Sequence, residues 1–235
     1  MSDALNQFDP LARPYRLLEY LVFQKALEQC RFALLPALAG CRRVVTIGEG
    51  DGRFVAELVR RYPEIEVDCL EGSQAMITRA RAWLPEQAAV TFHHADAFCW
   101  DYPVAEYDAV VTCFFLDCFR ETTLADWVPR VQQALRPAGC WAVAEFCEGR
   151  SGWRRWRSQF WLGIMYAFFR ILTSLEAKRL PNWKRLLTET GGRVQEEGTI
   201  HGGLLEVRQS VVCGEQGTDE GLVVHARELS QGLSG

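Results

Sequence analysis

Val44-Val45-Thr46-Ile47-Gly48-Glu49-Gly50-Asp51-Gly52-Arg53 is a short apolar run that breaks into alternating glycines and then opens a helical pattern. It reads as a strand, a glycine turn and a helix start. Gly48 and Gly50 permit backbone dihedrals closed to other residues and let a ligand approach the main chain, while the following helix points N–H groups at that ligand. A nucleotide-like cofactor is the natural guest. A dinucleotide fingerprint needs Gly-x-Gly-x-x-Gly, and Arg53 takes the place of its third glycine. One βα step further, Val67-Asp68-Cys69-Leu70-Glu71-Gly72-Ser73 is an apolar run ending in an acid. Glu71 at that strand tip is placed to accept hydrogen bonds from both hydroxyls of a ribose.

Outward from this core the pattern alternates between strand and helix. Val44 to Ile47, Ile65 to Leu70, Val90 to His93, Tyr107 to Cys113 and Cys140 to Phe146 read as strands. Between them, Phe54, Val55, Leu58, Val59 and Tyr62 make one helical stripe, and Met76, Ala80, Trp83 and Leu84 make a second, with Ser73 as its N-cap. A third helix spans Thr122 to Leu135, with Pro129 implying a kink or a late start, and Arg136-Pro137-Ala138-Gly139 turns the chain into the fifth strand. Val194 to Ile200 and Leu204 to Cys213, joined through His201-Gly202-Gly203, read as a hairpin. The expected fold is α/β: a Rossmann-like, seven-stranded, mainly parallel sheet with helices on both faces and a C-terminal antiparallel hairpin. Residues 1–40 form a helical arm or lid, 41–213 the ligand-binding domain with a helical insertion at 150–190, and 214–235 a polar tail.

Composition bounds the function classes. With 235 residues, 49% of them hydrophobic, the chain suits one globular domain, and a net charge of -4 provides no global basic field for nucleic acid. Nine cysteines are scattered without a Cys-x-x-Cys pair and read as reduced, buried thiols. No charged n-region with an apolar core opens the chain, which is read as cytoplasmic, and no uninterrupted apolar run approaches the ~18 residues of a membrane span.

Several motifs occurring in this order resemble the class I S-adenosylmethionine (SAM) dependent methyltransferases over roughly Phe8 to Cys213. The branch of ubiquinone and menaquinone biosynthesis enzymes is the nearest, its Asp-x-x-Ala-x-x-Tyr start echoed by Asp9, Ala12 and Tyr15. The resemblance implies SAM as cofactor, held by Gly48, Glu49, Gly50 and Gly52, by Glu71 with Gly72 and Met76, and by Asp96 and Ala97 at the adenine; Phe8 and Tyr15 of the arm are candidates to cover it, the competing reading being that they only anchor the arm. The family commonly has an acid two residues before the first motif glycine, at the methionine end of the cofactor. This chain has Thr46 there, whose hydroxyl brings no charge to the ammonium, and Glu49 is a candidate to compensate.

Because the sulfonium already makes the methyl group electrophilic, the protein mainly has to hold an acceptor in line with the S–CH₃ bond. A base matters only for some acceptors. Asp117 after the fourth strand, Glu145 near the end of the fifth and His201 in the hairpin are the candidates. The competing readings are a cap or surface acid for the carboxylates and a structural or solvated role for His201. His93 and His94 make no ligand pattern with the cysteines, so no metal is expected. The run from Trp153 to Arg170 is basic and aromatic, then apolar nearly all round. It suits a pocket for an apolar or aromatic small-molecule acceptor, peripheral contact with a membrane surface, or plain burial against the arm or the second subunit of a homodimer. The function expected is methyl transfer from SAM to a small or lipophilic organic acceptor. The alternative is a non-catalytic binding or assembly subunit that keeps the fold.

Overall fold

The computed structural model describes residues 26–147, 181–189, 191–202 and 205–214. The arm with Phe8 and Tyr15, the aromatic stretch from Trp153 to Arg170 and the tail after 214 lie outside the described residues. The chain starts with helix α1 (Ala26–Phe32) and a 3₁₀ turn (Leu35–Leu38) with Pro36 in its first turn. It then alternates through β1 (Arg43–Ile47), α2 (Arg53–Arg61), β2 (Glu66–Glu71), α3 (Gln74–Arg81), β3 (Val90–His94) and β4 (Tyr107–Cys113). A 3₁₀ turn (Leu116–Cys118), α4 (Glu121–Gln133), β5 (Leu135–Cys147), α5 (Trp183–Glu189), β6 (Gly192–Gly202) and β7 (Leu205–Gly214) complete it.

The sheet order is β3-β2-β1-β4-β5-β7-β6. The parallel part holds five strands, β1 to β5. β7 runs antiparallel to β5, and β6 antiparallel to β7. Residues 203–204, which join β6 to β7, are not described. Alternation along β1 divides the core. Val44 faces the layer made by Leu27 and Cys30 of α1 and by Phe54, Val55 and Leu58 of α2. Val45 and Ile47 face Leu124, Trp127, Val128 and Val131 of α4 and Leu186 and Leu187 of α5. Helices therefore cover both faces, the arrangement that a buried parallel sheet requires.

The two polar interruptions of the β4 run are both satisfied. Asp108 accepts the N–H groups of Arg42 and Arg43, at 2.8 and 2.9 Å, and pairs with Arg136. The Thr112 hydroxyl accepts the Trp141 indole N–H at 3.0 Å. Three details differ from the sequence reading. β5 begins at Leu135 rather than Cys140, because Leu135 already pairs with Tyr107; the register then shifts, and Arg136-Pro137-Ala138-Gly139 fall in that irregularity. Helix α4 runs through Pro129 and ends at Gln133. Helix α3 stops at Arg81, so Trp83 lies past its end and is exposed rather than on the buried stripe with Met76 and Ala80.

Gly52, with φ 85°, starts α2 in the left-handed region, and a Cβ there would sit 2.4 Å from the Cα and Cβ of Ala80 on α3. Gly50, with φ 71°, has nothing among the described residues within 4 Å of the same position. G50A should cost only the dihedral penalty, about 1–2 kcal/mol, whereas G52A adds overpacking of about 1–3 kcal/mol. Urea unfolding of the two variants should show the larger loss for G52A.

Candidate functional site

The three motif glycines do different work. Gly48, with φ 67°, makes room for the Phe115 ring, whose Cδ2 would lie 2.3 Å from an added Cβ. Gly52 makes room for α3. Among the described residues, Gly50 is the one of the three that leaves open space. The Gly50 N–H donates to Glu71 Oε2 at 2.8 Å, and the Ser73 N–H donates to Glu71 Oε1 at 2.9 Å. Glu71, only 8% exposed, is thus fastened to the corner and to the start of α3 rather than left as a free arm.

Ser73 caps α3 as expected, its Oγ accepting the Met76 N–H at 3.2 Å. The Gly72 carbonyl is 3.1 Å from His94 Nε2. One strand over, Ala95 N–H donates to the Glu71 carbonyl, which brings the segment carrying Asp96 to the edge that Glu71 occupies. Asp96 is exposed; its Oδ1 accepts the Phe98 N–H at 2.9 Å and its Oδ2 the Cys99 thiol at 3.6 Å. Ala97 is buried, and its carbonyl accepts the Tyr102 hydroxyl at 2.8 Å and the Trp127 indole N–H at 2.9 Å.

On the α1 side of the corner, Thr46 is 1% exposed and its hydroxyl has no oxygen or nitrogen partner among the described residues. Its neighbour across the ladder is Cys69, at best a weak sulfur acceptor. The Glu49 carboxyl accepts the Val55 N–H at 3.2 Å and so caps α2, for which Gly52 has no side chain. Burial pushes Glu49 up to about 8, with the Arg31 charge and the Val55 N–H opposing. Arg31 of α1 is 9% exposed, its guanidinium 5.4 Å from the centre of the Phe114 ring. Arg31 escaped the sequence reading; a charged residue next to Cys30 in the buried stripe of α1 was the available signal.

After β4, Phe114 takes a positive φ of 56°, and the 3₁₀ turn that follows lies over β5. Glu145, fully buried, accepts the N–H groups of Phe115, Leu116 and Asp117 at 2.9, 2.8 and 3.4 Å. Asp117 is 3% exposed and receives the Cys118 thiol at 3.5 Å. Burial pushes Asp117 up to about 6, with the Cys118 donor and a hydrogen bond from Glu145 opposing. Glu145 is driven well above the carboxylate range by burial and then by Asp117. The fold thus brings two of the three candidate bases together. His201 does not join them on any described contact: its backbone pairs with Glu206 on β7, and its side chain lies outside the described residues, as does Tyr15. Among the described residues, no group of three His, Cys, Asp or Glu side chains is arranged to hold a metal ion.

Residues 44–139 match a family model described as a methyltransferase domain. A demethylmenaquinone methyltransferase of Deinococcus radiodurans is 32% identical over 52% of this chain and 51% of its own. A trans-aconitate 2-methyltransferase of Methylobacterium nodulans is 35% identical over 45% of this chain and 39% of its own. The chain therefore spans about half or less of the length of these curated relatives. Among solved structures, a 1,6-didemethyltoxoflavin-N1-methyltransferase of Burkholderia thailandensis, with bound 1,6-didemethyltoxoflavin and S-adenosylhomocysteine, superposes with a TM-score of 0.64 at 14% identity, covering 90% of this chain and 88% of the other. Human N-acetylserotonin methyltransferase in complex with SAM gives 0.58 at 16% identity, covering 83% and 57%. At these identities the likeness is one of fold.

Glu49 also gives the folded chain a pH dependence with a definite sign. Its pKa of about 8 lies above its ordinary value of 4.5. Its contribution to stability is therefore complete below 4.5 and is lost as pH rises through about 8. E49Q keeps an acceptor for Val55 and cannot ionise. Chemical denaturation followed from pH 5 to about 8 should show a smaller fall in stability for E49Q than for the unsubstituted chain.

Proposed function

We propose that this chain, whose residues 44–139 match a methyltransferase-domain model, is a class I SAM-dependent methyltransferase that binds SAM across the ends of β1 to β3 and transfers its methyl group to a flat, apolar small molecule. The observation that carries the reading is the corner itself: an open Gly50 whose N–H is held by the acid at the tip of the next strand. Two features of this chain fit an adenosyl amino acid. The Cβ position of Gly50 is open among the described residues, and the Thr46 hydroxyl, buried on the strand that leads to the half-buried Glu49, has no oxygen or nitrogen partner where a charged amino-acid end would be met.

In this assignment Gly48, Gly50 and Gly52 shape the corner, and Glu71, with Gly72 and Met76 beside it, faces the ribose. Asp96 and Ala97 face the adenine, Thr46, Glu49 and Arg31 the amino-acid end, and Tyr15 covers the cofactor from the arm. When bound, SAM supplies an electrophilic methyl group whose departure leaves a neutral thioether. The protein's own task is orientation, worth up to about 7–11 kcal/mol, and, for an O–H acceptor, removal of one proton. Asp117, fixed against Glu145, is the proposed base. One relative is named for demethylmenaquinone and another for trans-aconitate, so kinship alone does not choose between apolar and acidic acceptors. The half-buried rings of Phe98, Phe115 and Phe119 favour the apolar choice, since their centroids lie 4.5 to 6.2 Å apart and the Phe115 ring lies against Gly48.

Calorimetry with SAM and with S-adenosylhomocysteine tests the cofactor assignment. Both should bind, and E71A should weaken them more than tenfold, about 1.4 kcal/mol. Saturable NAD(H) binding with none for SAM would overturn it. A non-catalytic binding subunit would bind the adenosyl ligands yet methylate none of a panel of phenolic acceptors.

The base assignment has its own signature. Transfer to a phenol should decline as pH falls through about 6. D117N should lower kcat by about 100-fold while leaving the affinity for S-adenosylhomocysteine within about twofold. An unchanged pH profile in D117N removes Asp117 from that role.

A further inference from the structure

Between β3 and β4 the chain passes through residues 95–106 with neither helix nor strand. Its carbonyl groups therefore have no ladder partners and must find donors elsewhere. Three of them are met by side chains. The Ala97 carbonyl takes the indole N–H of Trp127 and the hydroxyl of Tyr102, at 2.9 and 2.8 Å. The two nitrogens of the Arg130 fork reach the Phe98 and Trp100 carbonyls at 2.7 and 2.6 Å. Trp127 and Arg130 are three residues apart on α4, hence on one face of the helix. The Trp127 indole N–H also lies 3.2 Å from the Tyr102 hydroxyl, and the Arg130 guanidinium lies 5.9 Å from the Tyr102 ring, so donors and loop form one bracket.

The bracket has a fixed base. Glu121, at the start of α4, accepts from the Arg185 guanidinium at 2.7 Å and from the Asn182 N–H at 3.2 Å. Near the other end, Gln132 Nε2 donates to the Leu187 carbonyl at 3.0 Å. Trp127 is 1% exposed and packs on Phe98, with centroids 5.2 Å apart. Arg130 is exposed, yet its two bonds to carbonyls two residues apart are of a kind a lysine cannot reproduce, because only the planar guanidinium presents paired donors in a fixed fork.

We infer that Trp127 and Arg130 are positioning residues that set the base selectivity of the cofactor site, holding the segment 96–100 so that the Asp96 carboxylate stays fixed at the base edge of the ligand. The inference rests on the adenosyl reading given above. Adenine and hypoxanthine differ along one edge: adenine presents a donating exocyclic amine beside an N1 acceptor, whereas hypoxanthine presents a carbonyl oxygen that repels a carboxylate beside a donating N1–H that a carboxylate free to move could reach instead. A carboxylate held in place separates the two. One on a loop free to swing can turn away from the carbonyl and lose the distinction. Asp96 keeps lone pairs for this purpose beyond those used by Phe98 and Cys99.

The test compares calorimetric affinities for S-adenosylhomocysteine and S-inosylhomocysteine in the full chain and in R130A, R130K and W127F, together with thermal melting. R130A should weaken S-adenosylhomocysteine about tenfold, weaken S-inosylhomocysteine much less, and so narrow the preference, with Tm nearly unchanged. R130K, able to reach one carbonyl at a time, should fall between R130A and the unsubstituted chain. W127F keeps the ring but not the N–H and should narrow the preference in the same direction. If R130A does not fold, R130K and W127F read the same ratio. An unaltered preference in these variants overturns the inference, and so does an equal loss for both ligands in step with a falling Tm, which would mark a merely structural role. Failure of the unsubstituted chain to bind S-adenosylhomocysteine would instead sink the cofactor reading and this inference with it.

Discussion

The contact on which the site depends is the pair of hydrogen bonds from Gly50 and Ser73 to one buried carboxylate, Glu71. It joins the end of β1 to the start of α3 and fixes the open face of the corner. Hydrogen bonds to a charged acceptor are worth about 1.5–3 kcal/mol each, which suffices to hold a backbone bend that three left-handed glycines leave conformationally cheap. The device recurs. Glu49 takes the Val55 N–H, Asp96 that of Phe98, Glu145 those of Phe115 to Asp117, and at the other end of the sheet Asp108 takes those of Arg42 and Arg43. The loops of this domain are organised by carboxylates that accept main-chain amides.

Such acids do not all carry charge equally well. Asp68, in the body of β2, is partly buried, but His93, Tyr107 and Arg43 all bond to it, and they outweigh burial and hold it below the ordinary aspartate range. Glu49, Asp117 and Glu145 have weaker or fewer donors, and burial prevails. The sheet thus separates a strongly paired carboxylate within β2 from three carboxyls around the glycine corner and the turn after β4 whose proton affinity burial raises.

Much of this was legible in the chain because it depends on local periodicity. The apolar run and glycines of Val44 to Gly52, the Ser73 cap and the acid at the tip of β2 each announce themselves within ten residues. What was hidden depends on long-range pairing. Asp117 and Glu145 were separate candidates, and only the β4–β5 register sets the one beneath the other. Gly48 looked like a place for ligand until the Phe115 ring was found against it. The early start of β5 hid behind a Pro-Gly turn that sits within the register shift. Arg31 and Arg130 look like ordinary surface charges on their helices, and only tertiary structure gives one a buried position beside Glu49 and the other a row of carbonyls.

Helix α4 ties these parts together. Its Trp127 ring touches Phe98 on the loop after β3 and Phe115 on the turn after β4, with centroids 5.2 and 5.6 Å away. The same ring supplies the N–H that holds Ala97, so one side chain bears on the segment assigned to the adenine and on the aromatic wall assigned to the acceptor. Close-packed rings transmit displacement because no gap takes it up. The apolar layer under α4 therefore fixes the spacing between the loop after β3 and the turn after β4, because one buried ring packs on both.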